Sequence, residues 1–442
     1  MQQNNEIIRQ VLHQLKIEEL NPMQKAALDT VKNDSDVVLL SPTGSGKTLA
    51  FLLPVLLTLK PGTDIQTLIL VPSRELALQI DSVFKSMNTS WKTCCCYGGH
   101  PISEEKKSIV GNHPSIIIGT PGRIADHLRK GNFSPQTIRT LVIDEFDKSL
   151  ELGFQDEMEE IVAQLSGLKK RMLMSATDAE EIPRFTGLHR TTKLDFLHSN
   201  NQEQTRLQLR KLVSPSKDKI DTLYKLLCSL GNSSSIVFCN HRDAVDRVSK
   251  LLKERKLYNE AFHGGMEQPD RERALYKFRN KSCFVLISTD LAARGLDIPE
   301  IEHIIHYHLP VSEEAFTHRN GRTARWDAEG TSYLIINEQD RIPEYLPTDL
   351  EDYLLPESIP HPAKPVWTTL YIGKGKKDKL NKVDIVGFLC KKGQLSGEDI
   401  SGVDVKEHYA FVTVRASRVK QLMTLIRNEK IKGMKTIIEA AL

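Results

Sequence analysis

Short apolar runs alternate with helical spacing of apolar residues through the first 340 positions. In the first half the runs predict buried strands at residues 37–40, 68–71, 115–118, 141–143 and 171–174. In the second half they predict strands at residues 235–238, 283–288, 303–306 and 331–336. Strands that alternate with helices predict parallel sheets, so we expect two α/β domains.

The segment between the two halves and the residues after position 340 show different sequence patterns. Polar residues around 197–208 predict a linker, and the six prolines in 341–365 predict a semi-extended tether. Beyond the tether, a β-α-β-β-α-β order is predicted over 368–372, 382–391, 400–405, 409–414, 418–427 and 434–438. This is the outline of a small α+β RNA-recognition motif. The predicted domains are therefore 1–198, 209–340 and 366–442, with the tether at 341–365.

Charge is concentrated in the last predicted domain. The whole chain has a formal net charge of +3, but residues 366–442 contain 15 Lys and Arg against 8 Asp and Glu. A basic module indicates a polyanionic partner, with solvated surface charge as the alternative. No apolar run approaches the ~20 residues of a membrane span, and the N-terminus has no apolar signal core. Seven cysteines without a paired C-x-x-C spacing predict reduced thiols in a cytoplasmic protein.

The sequence S-P-T-G-S-G-K-T at residues 41–48 lies between a predicted strand and a predicted apolar helix. Glycines at such a junction leave backbone N–H groups available for phosphate, and the helix N-terminus favours negative charge. The pattern is that of a P-loop, in which Lys47 reaches the terminal phosphates and Thr48 binds Mg²⁺. The predicted nucleotide-binding residues of the loop are Ser41, Thr43, Gly44, Ser45, Gly46, Lys47 and Thr48.

Polar motifs also follow the other predicted strands of the first half, at residues 72–77, 119–123, 144–147 and 175–177. Ligands bind outside the carboxyl ends of parallel strands, so we expect these motifs and the P-loop along one rim. Asp144 is the carboxylate that a P-loop site needs for Mg²⁺, and Glu145 is placed to orient or deprotonate a water. A solvated turn is the alternative for an isolated pair of this kind.

The second half has no glycine-lysine cradle, so it is not expected to bind a triphosphate by itself. It contains H-R-N-G-R-T-A-R at residues 318–325. Arg322 and Arg325 are three positions apart, which places them on one helix face within reach of one phosphate. A solvated or carboxylate-paired basic helix end is the alternative.

Together these motifs resemble, in order and spacing over residues 20–340, the DEAD-box family of superfamily 2 RNA helicases. The resemblance implies two RecA-like domains that close over ATP, Mg²⁺ and RNA. It assigns adenine recognition to Gln24, ribose contact to Asp297, and the role of arginine fingers to Arg322 and Arg325. The implied catalytic residues are Lys47, Asp144, Glu145, Arg322 and Arg325. The residues implied to couple ATP to RNA are Asp147, Ser175, Thr177 and His318.

The resemblance also implies which core residues contact the RNA backbone. These are Arg74, Gly99, Thr120, Gly122, Arg123, Gln268, Arg271 and Thr289. The chain departs from the family pattern at four positions. Phe146 is the third residue of the D-E-A-D motif and is expected to point away from the two carboxylates if the segment stays extended. Ile7 replaces an aromatic upstream of Gln24, His308 replaces a common Asp, and Ala324 replaces a common Gly.

In the last domain, Tyr371, Tyr409 and Phe411 occupy positions where an RNA-recognition motif stacks bases, with core packing as the alternative. Glu407 and His408 replace the usual basic residue and glycine. A loop with Lys374, Lys376, Lys377 and Lys379 is a second candidate RNA contact. A helicase core with this tail resembles the DbpA subgroup of bacterial DEAD-box proteins. The resemblance implies binding of a hairpin in 23S rRNA and remodelling of RNA in the precursor of the large ribosomal subunit.

The predicted function is therefore that of an ATP-dependent RNA helicase acting on short duplexes, as a monomer with no membrane partner. Two alternatives stay open. A DNA-directed translocase would share the ATPase chemistry, and a nucleotide-dependent RNA clamp would bind RNA without turnover.

Overall fold

The computed structural model describes residues 2–33, 35–42, 44–62, 64–177, 182–197, 207–293, 301–323, 330–347 and 350–441. Four residues discussed above, Thr43, Asp297, Ala324 and Arg325, lie outside the described residues, as does most of the predicted linker. The described residues fall into two compact units that divide near residue 205.

The first unit contains a seven-stranded parallel sheet. Its strands are β1 Val37–Leu40, β2 Thr67–Leu70, β3 Thr93–Cys96, β4 Ile116–Gly119, β5 Thr140–Ile143, β6 Lys170–Ser175 and β7 Thr192–Asp195, in the order β3-β4-β2-β5-β6-β1-β7. Its helices are α1 Gln2–Leu15, α2 Pro22–Asp29, α3 Lys47–Thr58, α4 Arg74–Ser86, α5 Ile102–Asn112, α6 Pro121–Arg129, α7 Phe146–Glu151 and α8 Gln155–Gln164.

Strand β1 shows how the sequence produces two apolar layers. Val37 and Leu39 pack in one core cluster, whereas Val38 and Leu40 pack in another. Successive side chains of a strand point to opposite faces, so a continuous apolar run is what a sheet covered on both faces requires. Ile7 packs against the first cluster as a half-buried residue of α1.

The second unit begins with another seven-stranded parallel sheet. Its strands are β8 Leu207–Ser214, β9 Ser235–Phe238, β10 Glu260–Phe262, β11 Val285–Ser288, β12 His303–His306, β13 Gly330–Asn337 and β14 Glu351–Asp352, in the order β10-β11-β9-β12-β13-β8-β14. Its helices are α9 Ile220–Leu230, α10 Arg242–Glu254, α11 Gln268–Arg279, α12 Asp290–Ala293 and α13 Glu313–Asn320. The prediction of two parallel-sheet domains is confirmed.

The proline-rich segment is more ordered than a tether. Its strand β14 pairs with β8, where Glu351 faces Arg210 and Asp352 faces Lys211. Further along, Ile359 packs against the apolar core of the parallel sheet. Much of the segment therefore belongs to the surface of this domain.

The C-terminal residues form the predicted small α+β domain. An antiparallel sheet with the order β16-β17-β15-β18 is flanked by two helices. The elements are β15 Trp367–Ile372, α14 Lys382–Lys391, β16 Ile400–Val405, β17 Ala410–Arg415, α15 Val419–Ile426 and β18 Ile438–Ala440. The predicted β-α-β-β-α-β order is correct, although the last strand begins four residues later than expected.

Candidate functional site

The P-loop joins β1 to α3 through two glycines in the left-handed region. Gly44 has a φ of 84° and Gly46, at the N-cap of α3, has a φ of 88°. Lys47 folds back over the loop, where its Nζ donates to the carbonyl oxygens of Ser41 and of Pro42, the latter over 3.0 Å. The loop thus places an ammonium group among backbone groups at a helix N-terminus, which is the composition of a phosphate-binding site.

Helix α2 brings Gln24 to this loop. Asn21 caps the helix in a reciprocal pair with Gln24, and the Asn21 Nδ2 also donates to the carbonyl oxygen of Ser45 over 2.9 Å. Gln24 Nε2 donates to the carbonyl oxygen of Gly46 over 3.2 Å. A Cβ on Gly46 would lie only 2.6 Å from that amide nitrogen, so the contact requires glycine. Asn21 was not among the predicted site residues, although an Asn before a helix-starting Pro is a typical cap signal.

Asp144 directly follows β5 as a buried carboxylate that is 4% exposed. Burial and the neighbouring Glu145 raise the pKa of Asp144 to about 7, against the opposing effect of Lys47. The Glu145 N–H donates to Asp144 Oδ1 over 2.9 Å. Asp144 is buried with too little positive charge nearby to offset its own negative charge. Such a carboxylate beside a phosphate-binding loop is a suitable ligand for a cation.

The expected extended geometry at Phe146 is wrong. Glu145 has a φ of 48°, and this left-handed residue turns the chain into α7, which begins at Phe146. The side chain of Phe146 is 2% exposed and packs in an apolar core cluster with Leu173. The aromatic residue therefore contributes to packing below the carboxylates.

Three of the predicted coupling residues are connected by hydrogen bonds. Thr177 Oγ1 donates to Asp147 Oδ2 over 2.9 Å, and the Thr177 N–H donates to Ser175 Oγ over 3.1 Å. The carbonyl oxygen of Ser175 accepts from the Ser41 N–H over 3.1 Å. A continuous path therefore links the start of the P-loop to the D-E-F-D motif.

The predicted RNA contacts of the first unit lie in the loops and helix starts that follow β2, β3 and β4, which are neighbours in the sheet. Arg74 starts α4 behind the capping Ser73, and its guanidinium lies 3.4 Å from where a Cβ on Gly98 would be. Gly99 has a φ of 103°. Arg123 Nη2 donates to the carbonyl oxygen of His100 over 2.6 Å. Thr120 is the N-cap of α6, and Gly122 lies in its first turn.

In the second unit, Arg319 is a fully buried structural residue. It is 1% exposed, forms an ion pair with Asp290 and donates to Asn240 Oδ1 over 2.8 Å. Its guanidinium also lies 5.1 Å from the ring centroid of Phe238. The departure at His308 fits the same network, since its side-chain Nδ1 accepts from the Asn240 N–H over 3.2 Å. The alternative of a carboxylate-paired basic residue therefore holds for Arg319.

The neighbouring functional candidates are mostly buried. Arg322 is 4% exposed just beyond α13, and His318 lies 3.6 Å from Glu314 one turn earlier on that helix. Arg271, on α11, lies 5.1 Å from the ring centroid of Phe262. Thr289 directly follows β11. Arg271 and Thr289 lie at a helix start and a strand end, whereas Arg322 lies beyond the C-terminal end of α13, so the expected placement of Arg322 on a helix face is wrong.

Helix α11 also contacts the C-terminal domain. Gln268 Nε2 donates to Glu272 Oε1 over 3.1 Å, and Tyr409 OH donates to Glu272 Oε2 over 2.9 Å. Phe411 is 2% exposed and stacks on Tyr276 with 5.2 Å between ring centroids. The carboxylate of Glu272 therefore links a predicted RNA contact of the core to the sheet of the C-terminal domain.

This docking bears on the predicted stacking aromatics. Tyr371, Tyr409 and Phe411 form one cluster as expected, with 5.8 Å between the ring centroids of the two tyrosines. Tyr276 of α11 also contacts the same sheet through its OH, which donates to the carbonyl oxygen of Gly402 over 2.8 Å. In this conformation Phe411 is not available to a base, so its packing matches the alternative that the sequence left open.

The lysine loop remains at the surface. Lys376, Lys377 and Lys379 are exposed, whereas Lys374 is half-buried and pairs with Asp378 over 2.8 Å. The residues that replace the usual signature, Glu407 and His408, lie beside this loop, where Lys376 and Lys377 contact them. No helix among the described residues is long and apolar enough to cross a membrane.

Comparison with known families covers most of the chain. Residues 21–185 match the DEAD/DEAH box helicase family, and residues 218–327 match the helicase conserved C-terminal domain. Residues 369–440 match the DbpA RNA binding domain. Each match falls on one of the three sheets described above.

Individual proteins agree with these matches. The chain is 32% identical over 434 residues to the ATP-dependent RNA helicase DbpA of Escherichia coli, covering 96% of this chain and 94% of that protein. It is 28% identical to the DbpA of Bacillus subtilis, covering 99% of this chain and 98% of that protein.

Two solved structures share the helicase fold. One is Saccharomyces cerevisiae Dbp5 bound to RNA and ADP BeF3, with a TM-score of 0.67, 27% identity, and coverage of 74% of this chain and 86% of that one. The other is Mss116p bound to ssRNA and AMP-PNP, with a TM-score of 0.68, 25% identity, and coverage of 75% and 72%. The chain therefore belongs to the DEAD-box family of superfamily 2 ATP-dependent RNA helicases, within the DbpA-like group that ends in an RNA-binding domain.

Proposed function

We propose that this chain is an RNA-stimulated ATPase that remodels short duplexes of large-subunit ribosomal RNA during ribosome assembly. The hydrogen-bonded path from the P-loop through Thr177 to Asp147 is the observation that carries the proposal. It joins the residues proposed to hold phosphates to those proposed to sense RNA. A chain that only bound nucleotide would not need this connection.

Each residue of the nucleotide site is proposed to have a defined role. Lys47 supplies charge to the phosphates, and Gln24 recognises adenine. Thr48 and Asp144 fit a Mg²⁺ ion, which neutralises phosphate charge when bound. Asp297 is proposed to contact ribose.

Hydrolysis is proposed to depend on three further side chains. Glu145 orients the attacking water, and Arg322 and Arg325 stabilise charge on the transferring phosphoryl group. ATP and RNA together favour the closed arrangement of the two units, and loss of the terminal phosphate removes that preference. Release of RNA follows.

The ribosomal target is supported by the C-terminal domain. This domain matches the DbpA RNA binding domain, and its excess of Lys and Arg fits a polyanion. We propose that it holds 23S rRNA of the precursor large subunit while the core acts on nearby helices. A monomer in the cytoplasm is part of the same proposal.

The test is a steady-state ATPase assay with and without RNA. Lys47→Ala and Arg322→Ala should abolish RNA-stimulated turnover while the C-terminal domain still binds RNA. Lys60→Ala, an exposed lysine beyond α3, is the control and should behave as wild type. Unchanged turnover in Lys47→Ala or Arg322→Ala would refute the proposal.

Two comparisons separate the alternatives. Stimulation by matching DNA as strong as that by RNA would favour a DNA-directed translocase. ATP-dependent RNA binding without phosphate release would favour a clamp. Stimulation by fragments of large-subunit rRNA but not by a scrambled RNA of equal length would support the ribosomal target.

A further inference from the structure

A buried carboxylate connects the loop after β3 to α6, two of the segments that carry the RNA contacts proposed for the first unit. Glu105, on α5, is 3% exposed. Its Oε1 accepts from the Tyr97 N–H over 2.8 Å and lies 2.9 Å from His100 Nε2. Its Oε2 lies 2.7 Å from His127 Nε2 and 3.5 Å from Arg123 Nε. One side chain thus contacts residues from the loop after β3 and from α6.

The carboxylate is ionised in this setting. Burial works against the charge, but hydrogen bonds from His100, from His127 and from the Tyr97 N–H, together with the Arg123 guanidinium, lower the pKa of Glu105. An ionised carboxylate only accepts hydrogen bonds, so His127 Nε2 is the donor. The other imidazole nitrogen of His127 lies 3.0 Å from Asn132 Nδ2, which fixes the ring.

The same atoms could suggest a metal site. Cys96, Glu105 and His127 offer ligand atoms within 4.8 Å of one another. However, both carboxylate oxygens and both His127 nitrogens already have hydrogen-bond partners. The contacts therefore favour a positioning network over a bound ion.

The network orients Arg123. Its Nε faces Glu105 and its Nη2 donates to the carbonyl oxygen of His100, so the guanidinium is held at two nitrogens. Tyr97 and His100 flank the two glycines of the loop after β3, and Glu105 contacts both of these flanking residues. The loop and the arginine cannot move independently while this carboxylate holds them.

We propose that Glu105 is a positioning residue for RNA binding: it holds Arg123 and the Gly99 loop in the arrangement that receives an RNA phosphate. The inference rests on the proposed function, in which both are RNA contacts. Glu105 itself does not touch RNA. Preorganisation of this kind reduces the ordering cost of binding.

Glu105→Gln tests the proposal because it keeps the size of the side chain but removes its charge. The RNA concentration for half-maximal ATPase should rise about tenfold, as expected for loss of charge-assisted hydrogen bonds. The maximal ATPase rate and nucleotide binding without RNA should stay within about twofold of wild type. Glu159→Gln, which removes an exposed carboxylate from α8, is the matched control. Wild-type RNA dependence in Glu105→Gln would overturn the proposal.

A double-mutant cycle with Arg123→Ala separates positioning from general stability. Because Glu105 acts partly through Arg123, Glu105→Gln should weaken RNA binding by a smaller factor in the Arg123→Ala background than in the wild type. Fully additive losses would overturn the positioning role and leave the proposed function intact. Wild-type RNA affinity in Arg123→Ala alone would instead refute Arg123 as an RNA contact, and the inference with it.

The Arg123→Lys variant tests the positioning role of Glu105 even if the Glu105→Gln variant does not fold. Lysine keeps the charge but cannot bind Glu105 and the His100 carbonyl oxygen through two separate nitrogens of a planar group. Positioning predicts a loss of RNA affinity about as large as that of Glu105→Gln. Wild-type affinity would show that charge alone matters and would overturn the proposal.

Discussion

Thr177 Oγ1 donates a 2.9 Å hydrogen bond to Asp147 Oδ2, which joins the segment after β6 to the first turn of α7. The two residues are 30 positions apart in the chain. Because Thr177 also binds Ser175, hydrogen bonds connect α7 to β6, the strand that pairs with β1 before the P-loop.

Thr177→Val should uncouple RNA from ATP turnover. Valine keeps the shape of threonine but cannot donate to Asp147, which leaves that carboxylate short of a partner. We expect RNA-stimulated ATPase to fall about tenfold, while ATP binding without RNA changes less than about twofold. Thr186→Val removes a buried hydroxyl that donates to the carbonyl oxygen of Pro183, and it should retain full stimulation. Equal losses in both variants would contradict a coupling role.

Gly46→Ala should damage the nucleotide site. The residue has a φ of 88°, and an added Cβ would lie 2.6 Å from Gln24 Nε2. We expect nucleotide affinity to fall at least about tenfold and the unfolding free energy of the first unit to drop by about 1–2 kcal/mol. Titration with a fluorescent nucleotide measures the first effect and urea denaturation the second. Gly111→Ala, where a Cβ meets open space within a helix, should be neutral or slightly stabilising.

Acid should destabilise the second unit through His306. Burial and the nearby Arg319 lower the pKa of His306 to about 3. The unfolded chain therefore takes up a proton below about pH 6.5 that the folded chain refuses, so the stabilising effect is present above that pH and is lost as the pH falls. At about pH 5 the expected cost is about 2 kcal/mol.

Urea denaturation at about pH 5 and about pH 7.5 measures this effect. His306→Gln should be less stable at neutral pH but should lose less stability on acidification than the wild type. His361→Gln, which changes an exposed histidine of the proline-rich segment, should keep the wild-type pH dependence. Parallel pH profiles for the wild type and His306→Gln would rule out this assignment.

Tyr276→Ala should loosen the C-terminal domain from α11. The change removes the ring stacked on Phe411 and the hydroxyl bound to Gly402. We expect loss of about 3 kcal/mol of docking free energy. Hydrogen exchange of the β16 and β17 amides and of α11 measures it, with faster exchange expected in the variant. Tyr258→Ala, at a ring that is 54% exposed, should leave exchange unchanged.

Several buried strands of the parallel sheets were predicted with the observed bounds. Ser235–Phe238 and His303–His306 are examples. Strand β3 was missed because Thr93–Cys96 is rich in cysteine and lies at an edge of the sheet, where only part of it is buried. Strand β14 was also missed, because the surrounding prolines predict an extended segment. Its short pairing with β8 depends on tertiary contacts rather than on local preference.

The sequence motifs predicted the positions of the site residues better than they predicted the contacts between side chains. The strand-end position of Asp144 followed from a local pattern, because an apolar run leads directly to it. The contacts of Glu105 join residues 97–127 across two loops and two helices, and no spacing rule connects them. Similarly, Arg319 looks like its neighbour Arg322 in the sequence, and only the fold separates the buried ion pair from the candidate finger.

The attachment of β14 and Ile359 to the second parallel-sheet domain limits how far the C-terminal domain can travel. Only the segment from residue 360 to the start of β15 at Trp367 is then left as a linker, and it spans about 25 Å at full extension. If that domain releases α11 while it holds RNA, the start of β15 stays within about 25 Å of Ile359. An RNA duplex that lies beyond this distance plus the widths of the two domains would be out of reach however tightly the C-terminal domain binds.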